Sequence, residues 1–212
     1  MKAFVQLNSV AAPLPEDDVD TDVIFPARFL LLTDKHGLGP YAFYERRFFA
    51  DGTERPDFVL NRAPWRGAQI LVAGANFGCG SSREQAPWSL ADLGLRCIVA
   101  PSFGEIFRGN CFNNGLLPIS VDVARHAVLM AEATAGRVLT VDLQAASITL
   151  ADGGEIPFDV PARQRQMLLN GWDTIDLIAN SEGPRIAAFE QAQRQRMPWL
   201  YDDAAPATPP SP

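Results

Sequence analysis

The chain is expected to be an α/β protein, and three observations predict it. Short apolar runs alternate with helix-like segments from residue 68 to residue 134. Each run is bounded by Gly or Pro, as buried strands are. Beyond residue 138 the pattern changes to paired short strands joined by turns. Together these features predict a parallel core extended by antiparallel strands.

The expected core strands are Ala68–Ala73 (AQILVA), Cys97–Ala100 (CIVA) and Leu116–Ser120 (LLPIS). Ser82–Leu93 reads as a helix with a serine cap and Gly94 as its C′ residue. Phe103–Phe112 is a shorter helix, and Val123–Thr134 follows Asp122 as its cap. Within Val138–Val160, VLTVDL and SITL flank a short linker, and DGGE turns the chain into IPFDV. Pro161–Pro198 reads as two or three amphipathic helices, with Arg185–Met197 a surface helix. Residues 1–200 are expected to form a single domain. Residues 201–212 are expected to be a disordered tail, because DDAAPATPPSP lacks apolar anchors.

Composition excludes several function classes. The net charge is −7, whereas a nucleic-acid binder carries a basic face. No run of eighteen apolar residues exists, and the first ten residues do not read as a signal peptide, so a cytoplasmic location is expected. Cys79, Cys97 and Cys111 are odd in number and unsuited to a disulfide framework. The two histidines, His36 and His126, are far apart, and no CxxC or HExxH occurs. A metal site built by this chain alone is not expected.

The most unusual segment is Gly74–Glu84, GANFGCGSSRE. Its glycines permit positive φ and close approach to a ligand. Ser81, Ser82 and Arg83 are read as lying at a helix start, where open amides and the dipole favour an anion. Arg83 offers a fork for a carboxylate. A serine in such a field is open to stabilisation as an alkoxide. The competing reading is a plain Gly-rich turn capped by serine. The P-loop, GxGxxG and GxSxG patterns all fail here.

Glu16–Pro26 (EDDVDTDVIFP) contains DxDxD at Asp18, Asp20 and Asp22, but Val23 and Phe29 occupy the Gly and Glu positions of a calcium loop. It reads either as a solvated acidic turn before a strand or as a segment in which Asp22 orients a site group. Asn110, Asn113 and Asn114 read as turn chemistry or as support for the Gly-rich loop. Cys79, without a nearby His, reads as a small residue that fits its loop.

DTDVIFPARFL, PDFVLN, GANFGCGSSREQAPWSL, PSFGEIFRGNCFNNGLLP and NGWDTI occur in that order. In this the chain resembles the 3-isopropylmalate dehydratase small subunit family of the aconitase superfamily, over nearly its whole length. The resemblance implies an aconitase-like swivelling domain, a layered α/β fold of mixed parallel and antiparallel sheets. It implies a hydro-lyase active only with a large subunit, which holds a [4Fe-4S] cluster whose iron acts on the leaving hydroxyl. This chain's cysteines are not expected to be cluster ligands. By the same resemblance Ser81 is the base and Ser82 and Arg83 bind substrate. Asp22 is a supporting residue, as are Gly78 and Gly80 of the Gly-rich loop.

The chain departs from the family pattern in three places. The substrate-selecting loop Leu31–Gly39 carries Lys35 where arginine is common. Ala75 replaces a common glutamate, and Gln85 a frequent histidine. Lysine pairs with a carboxylate but without a planar fork. A related dehydratase for 2-methylmalate or dimethylmalate is therefore the nearest alternative, and a non-catalytic dicarboxylate-binding module the alternative of another class. The loop Leu31–Gly39 is expected to be mobile without a partner.

Overall fold

A computed structural model describes residues 1–201. These divide into a compact unit, Met1–Asp173, and a second unit beginning at Thr174. The first contains a seven-stranded sheet. In chain order its elements are β1 (Gln6–Leu14), α1 (Thr21–Ile24), α2 (Tyr44–Arg47), β2 (Ile70–Ala73), α3 (Gln85–Leu93), β3 (Cys97–Ala100), α4 (Glu105–Asn113), β4 (Leu117–Ser120), α5 (Val123–Thr134), β5 (Val138–Asp142), β6 (Ser147–Thr149), β7 (Glu155–Pro157) and α6 (Ala162–Asn170). The second contains α7 (Thr174–Arg196) and a closing 3-10 turn, Pro198–Leu200. The expected tail, apart from Tyr201, lies outside the described residues.

The strand order is β4-β3-β2-β1-β5-β6-β7. β1 is the hinge between two pairing modes. Its second half, Ala11–Leu14, runs parallel to β2, and its first half, Gln6–Val10, runs antiparallel to β5. β2, β3 and β4 are parallel, and β5, β6 and β7 antiparallel. Every residue of β2 and β3 is buried. Both sheet faces are covered there, so these strands read as continuous apolar runs. Leu71, Ala73, Ile98 and Ala100 pack on the α3/α4 side with Phe77, Leu90 and Phe107. Ile70, Val72, Cys97 and Val99 face Leu129 of α5 and Leu139, Val141 and Ile148 of the antiparallel strands.

The expected strands and the α5 helix agree with the structure, and β3 and α5 do so residue for residue. Asp122 caps α5 by accepting a hydrogen bond from the Arg125 amide at 2.9 Å. β1 has no clear signal in the sequence: Pro13 lacks an amide and argues against a central strand. The strand expected after the acidic segment is instead the single turn α1. Asp20 is its N-cap, accepting from the Val23 amide at 2.8 Å.

The start of α3 needs correction. The helix begins at Gln85, not Ser82, and Glu84 occupies the cap position without a side-chain cap bond. Pro87 explains this. In a helix beginning at Gln85 it lies in the first turn, where no amide is required. In a helix capped by Ser82 it would fall inside, where its ring clashes and its amide is missed. Gly94, at φ 109°, ends the helix as expected, with the Leu95 amide donating to the Leu90 carbonyl.

Candidate active site

Three loops meet at the carboxyl ends of parallel strands β1, β2 and β3, where ligands bind in open α/β sheets. The loop after β2 is threaded between the other two. The Gly74 amide donates to Leu14 O at 3.0 Å, and the Ala75 amide to Asp17 Oδ1 at 2.6 Å. The Asn76 and Phe77 amides donate to Ser102 Oγ and O at 2.8 and 3.1 Å. The Gly78 amide donates to Val19 O at 2.7 Å. Phe77 forms a bridge with Phe103, and Cys79 with Asp20.

Two glycines shape this loop. Gly78 has φ 73°, and a Cβ there would lie 2.2 Å from the ring of Phe107. Gly80 has φ 90° and brings Ser81 back over Thr21; a Cβ on it would lie 3.5 Å from Thr21 Oγ1. Both positions therefore require glycine for the conformation, and Gly78 also for the space.

The acidic segment is exposed at Glu16, Asp17, Asp18 and Asp22, yet its carboxylates are engaged. Asp17 accepts from Ala75, Asp18 from Asn76 Nδ2 at 2.7 Å, and Asp20 from Val23. Glu16 pairs with Arg46 at 2.6 Å. Asp22 Oδ1 accepts from Arg83 Nη1. The run thus holds one loop against the next and builds no cation cage.

The structure brings Asp22 and Arg83 together, a partner for Asp22 that the sequence leaves unnamed. The Arg83 hydrogen bond, the largest influence, holds the Asp22 carboxyl below the ordinary carboxylate range; burial opposes it, and the Arg83 charge and the Ala27 amide add to the lowering. Asp22 is 53% exposed and Arg83 16%. Arg83 Nη1 also reaches Phe25 O at 3.4 Å. Its position is therefore set from α1 and the residue that follows.

Ser81 and Ser82 are exposed at the mouth of this corner. Their amides make no hydrogen bond among the described residues. They lie in the loop ahead of α3 rather than in its first turn, so what they present is open loop amides and not a helix start. Ser81 Oγ lies 3.2 Å from the hydroxyl of Thr21, which also lies 3.1 Å from Ser81 O. Sequence reasoning misses Thr21. Its only signal is a hydroxyl in the middle of an acidic run, which invites attention to the carboxylates instead.

Lys35 lies elsewhere. Its ammonium is 4.8 Å from the centre of the Trp88 ring on α3, rather than against Ser81 or Arg83. Lys35, His36, Trp88, Asp92 and Asn114 line a cavity of about 400 Å³. Of the three asparagines, Asn114 supports the Gly-rich loop's end, with Nδ2 3.3 Å from Glu84 Oε1. His126 is structural: its Nε2 meets Ala73 O at 2.7 Å.

The thiols do not suit an iron-sulfur cluster. Cys97 and Cys111 are buried in the core, and burial raises both thiol pKa values. Cys79 is raised by burial and then by the charges of Asp18 and Asp20. Thiolate is the ligand form. Among the described residues no group of three His, Cys, Asp or Glu side chains is placed to hold a metal ion. Among the same residues no helix is long and apolar enough to cross a membrane.

Comparisons with known proteins agree with this architecture. The family model for the aconitase C-terminal domain matches residues 1–124. LeuD_N matches residues 127–162, and the model for the C-terminal domain of the 3-isopropylmalate dehydratase small subunit matches residues 183–203. The 3-isopropylmalate dehydratase small subunit of Paramagnetospirillum magneticum is 50% identical over 202 residues, covering 94% of this chain and 100% of that protein. Its counterpart in Rhodospirillum centenum is 51% identical over 201 residues, covering 94% and 98%. The crystal structure of the 3-isopropylmalate dehydratase LeuD from Methanocaldococcus jannaschii has a TM-score of 0.64 at 26% identity, covering 87% of this chain and 99% of that one. The mixed sheet, the corner at its parallel end and these matches place the chain in the 3-isopropylmalate dehydratase small subunit family of the aconitase superfamily.

Proposed function

We propose that this chain is the small subunit of a hydro-lyase that interconverts 2-isopropylmalate and 3-isopropylmalate through 2-isopropylmaleate in leucine biosynthesis, and that it works with a large subunit holding a [4Fe-4S] cluster. The observation that carries the reading is the corner itself. An exposed serine hydroxyl stands on a fixed loop with a buried hydroxyl behind it and an anchored arginine in the same loop. The relatives that match 94% of this chain at about half identity favour the isopropyl substrate over 2-methylmalate or dimethylmalate. They also favour an enzyme over a non-catalytic module.

The proton removed lies on a carbon beside a carboxylate and is weakly acidic. Ser81 Oγ, as alkoxide, takes it. The electron pair moves into the adjacent carboxylate and then forms the double bond as the hydroxyl leaves. In hydration the same hydroxyl returns the proton. Arg83 pairs with a substrate carboxylate, and Asp22 fixes the direction from which it does so. The amides of Ser81 and Ser82 and the Ser82 hydroxyl supply further donors to the developing charge. Gly78 and Gly80 keep the loop close enough for this. Lys35, which rests on Trp88 in the isolated chain, pairs with a second carboxylate once its loop is ordered over the site. The cluster on the large subunit would supply the Lewis acid for the departing hydroxyl.

The test is anaerobic hydration of 2-isopropylmaleate by the chain alone and by the chain with the cluster-bearing large subunit of the same genome, with 2-methylmaleate in parallel. Activity only in the mixture, with preference for the isopropyl substrate, is expected. Preference for 2-methylmaleate would move the substrate. No activity with either, from a formed and cluster-loaded complex, would overturn the enzyme reading.

A further inference from the structure

We infer that Thr21 is a positioning residue for the proton-transferring hydroxyl, holding Ser81 Oγ in place and donating to it when it is charged. The inference deepens the reading of Ser81 as the base and rests on it. Thr21 is 1% exposed, so water does not compete for its hydroxyl. That hydroxyl has one proton and two acceptors within reach, Ser81 O at 3.1 Å and Ser81 Oγ at 3.2 Å.

The two acceptors correspond to two states of the base. With Ser81 protonated, the serine donates to Thr21 Oγ1 and the threonine proton points to the Ser81 carbonyl. With Ser81 as alkoxide, the threonine proton turns to Oγ, where the charge is. A hydrogen bond to a charged acceptor is stronger than one to a neutral acceptor, and more so away from water. Thr21 therefore stabilises the alkoxide more than the alcohol, which is what a group normally too weak as a base requires.

Thr21 is itself held firmly. Its amide donates to Cys79 O at 2.9 Å, and its carbonyl accepts from the Phe25 amide at 2.9 Å. The first bond ties Thr21 to the residue two before Ser81, and Gly80 turns the chain between them. The geometry therefore depends on three adjacent features: the Asp20–Cys79 bridge, the Gly80 turn and the hydroxyl pair.

The test uses the complex assembled with its cluster-loaded large subunit and compares Thr21→Val, Thr21→Ala and Thr21→Ser with Ser81→Ala. Val and Ala are expected to lower kcat for 2-isopropylmaleate hydration roughly a hundredfold, the loss typical of one missing donor. KM should stay nearly unchanged, since the interaction matters for the charged state. Ser is expected to restore most of kcat. Full kcat in the Val and Ala variants, with Ser81→Ala inactive, would overturn the role of Thr21 and leave Ser81 as the base. An active Ser81→Ala enzyme would overturn the base reading itself. Failure of Val and Ala to fold while Ser folds would make Thr21 a merely structural residue and overturn the inference.

Discussion

The loop that holds Ser81 and the loop that holds Lys35 differ in how they are secured. From Gly74 to Cys79 every backbone amide has a partner, drawn from β1 and its loop, from β3's loop or from the loop itself. From Leu31 to Leu38, among the described residues, only the amides of Leu32 and His36 are bonded, to Phe29 O and to Asp34 Oδ1. The first loop is tied into the sheet's buried end. The second is exposed from Leu31 to Gly37, and Leu31 is 93% exposed. It is anchored where the Gly39 amide donates to Asp92 Oδ2 at 2.7 Å, and Lys35 rests on Trp88. The contrast suits the two tasks proposed for these loops. Proton transfer needs a hydroxyl already in place, because misplacement by an ångström is costly. Selecting a side chain needs a segment that a partner or substrate orders on arrival.

Alanine substitution at two glycines sharpens the comparison most. Gly78 and Gly37 have nearly the same positive φ, 73° and 80°. A Cβ at Gly78 meets the Phe107 ring at 2.2 Å, while one at Gly37 meets nothing within 4 Å. Gly78→Ala is expected to cost about 3 kcal/mol or more, from left-handed strain plus overpacking. Gly37→Ala is expected to cost about 1 kcal/mol, from strain alone. Denaturant unfolding of the two variants checks this, and equal costs would break the comparison.

A smaller effect is expected at Lys35. Removing its charge leaves the Ser81 corner intact. Lys35→Ala should therefore raise KM of the assembled enzyme several-fold and leave kcat close to the parent, as loss of uniform binding does. Its stability should change by less than about 1 kcal/mol, the worth of an exposed cation–π contact. A collapse of kcat with unchanged KM would place Lys35 in the proton-transfer machinery instead.

Much of this is legible in the sequence. β3 and α5 declare themselves by an unbroken apolar run and by an aspartate cap, both local signals. Ser81, Arg83 and Asp22 are legible as motif residues, but the pairing of Asp22 with Arg83, 61 residues apart, is not. What is not legible is set by long-range contacts. β1 is central only because both β2 and β5 find it, and Pro13 disguises it. The start of α3 is misplaced because the serine cap signal outweighs Pro87, which fixes the first turn. Thr21 has no signature of its own. Its importance comes from Gly80 bringing Ser81 over it from a distant part of the chain. The resting place of Lys35 on Trp88 is likewise a tertiary fact.

The central claim is that the reactive corner is complete in the isolated chain whereas the selecting loop is not. Amide hydrogen exchange of the isolated protein tests it most directly. Residues 74–79 should exchange slowly, as the sheet does, and residues 31–38 fast, with protection in 31–38 rising once the large subunit is added. Strong protection of 31–38 in the lone chain, or fast exchange across 74–79, would contradict the claim.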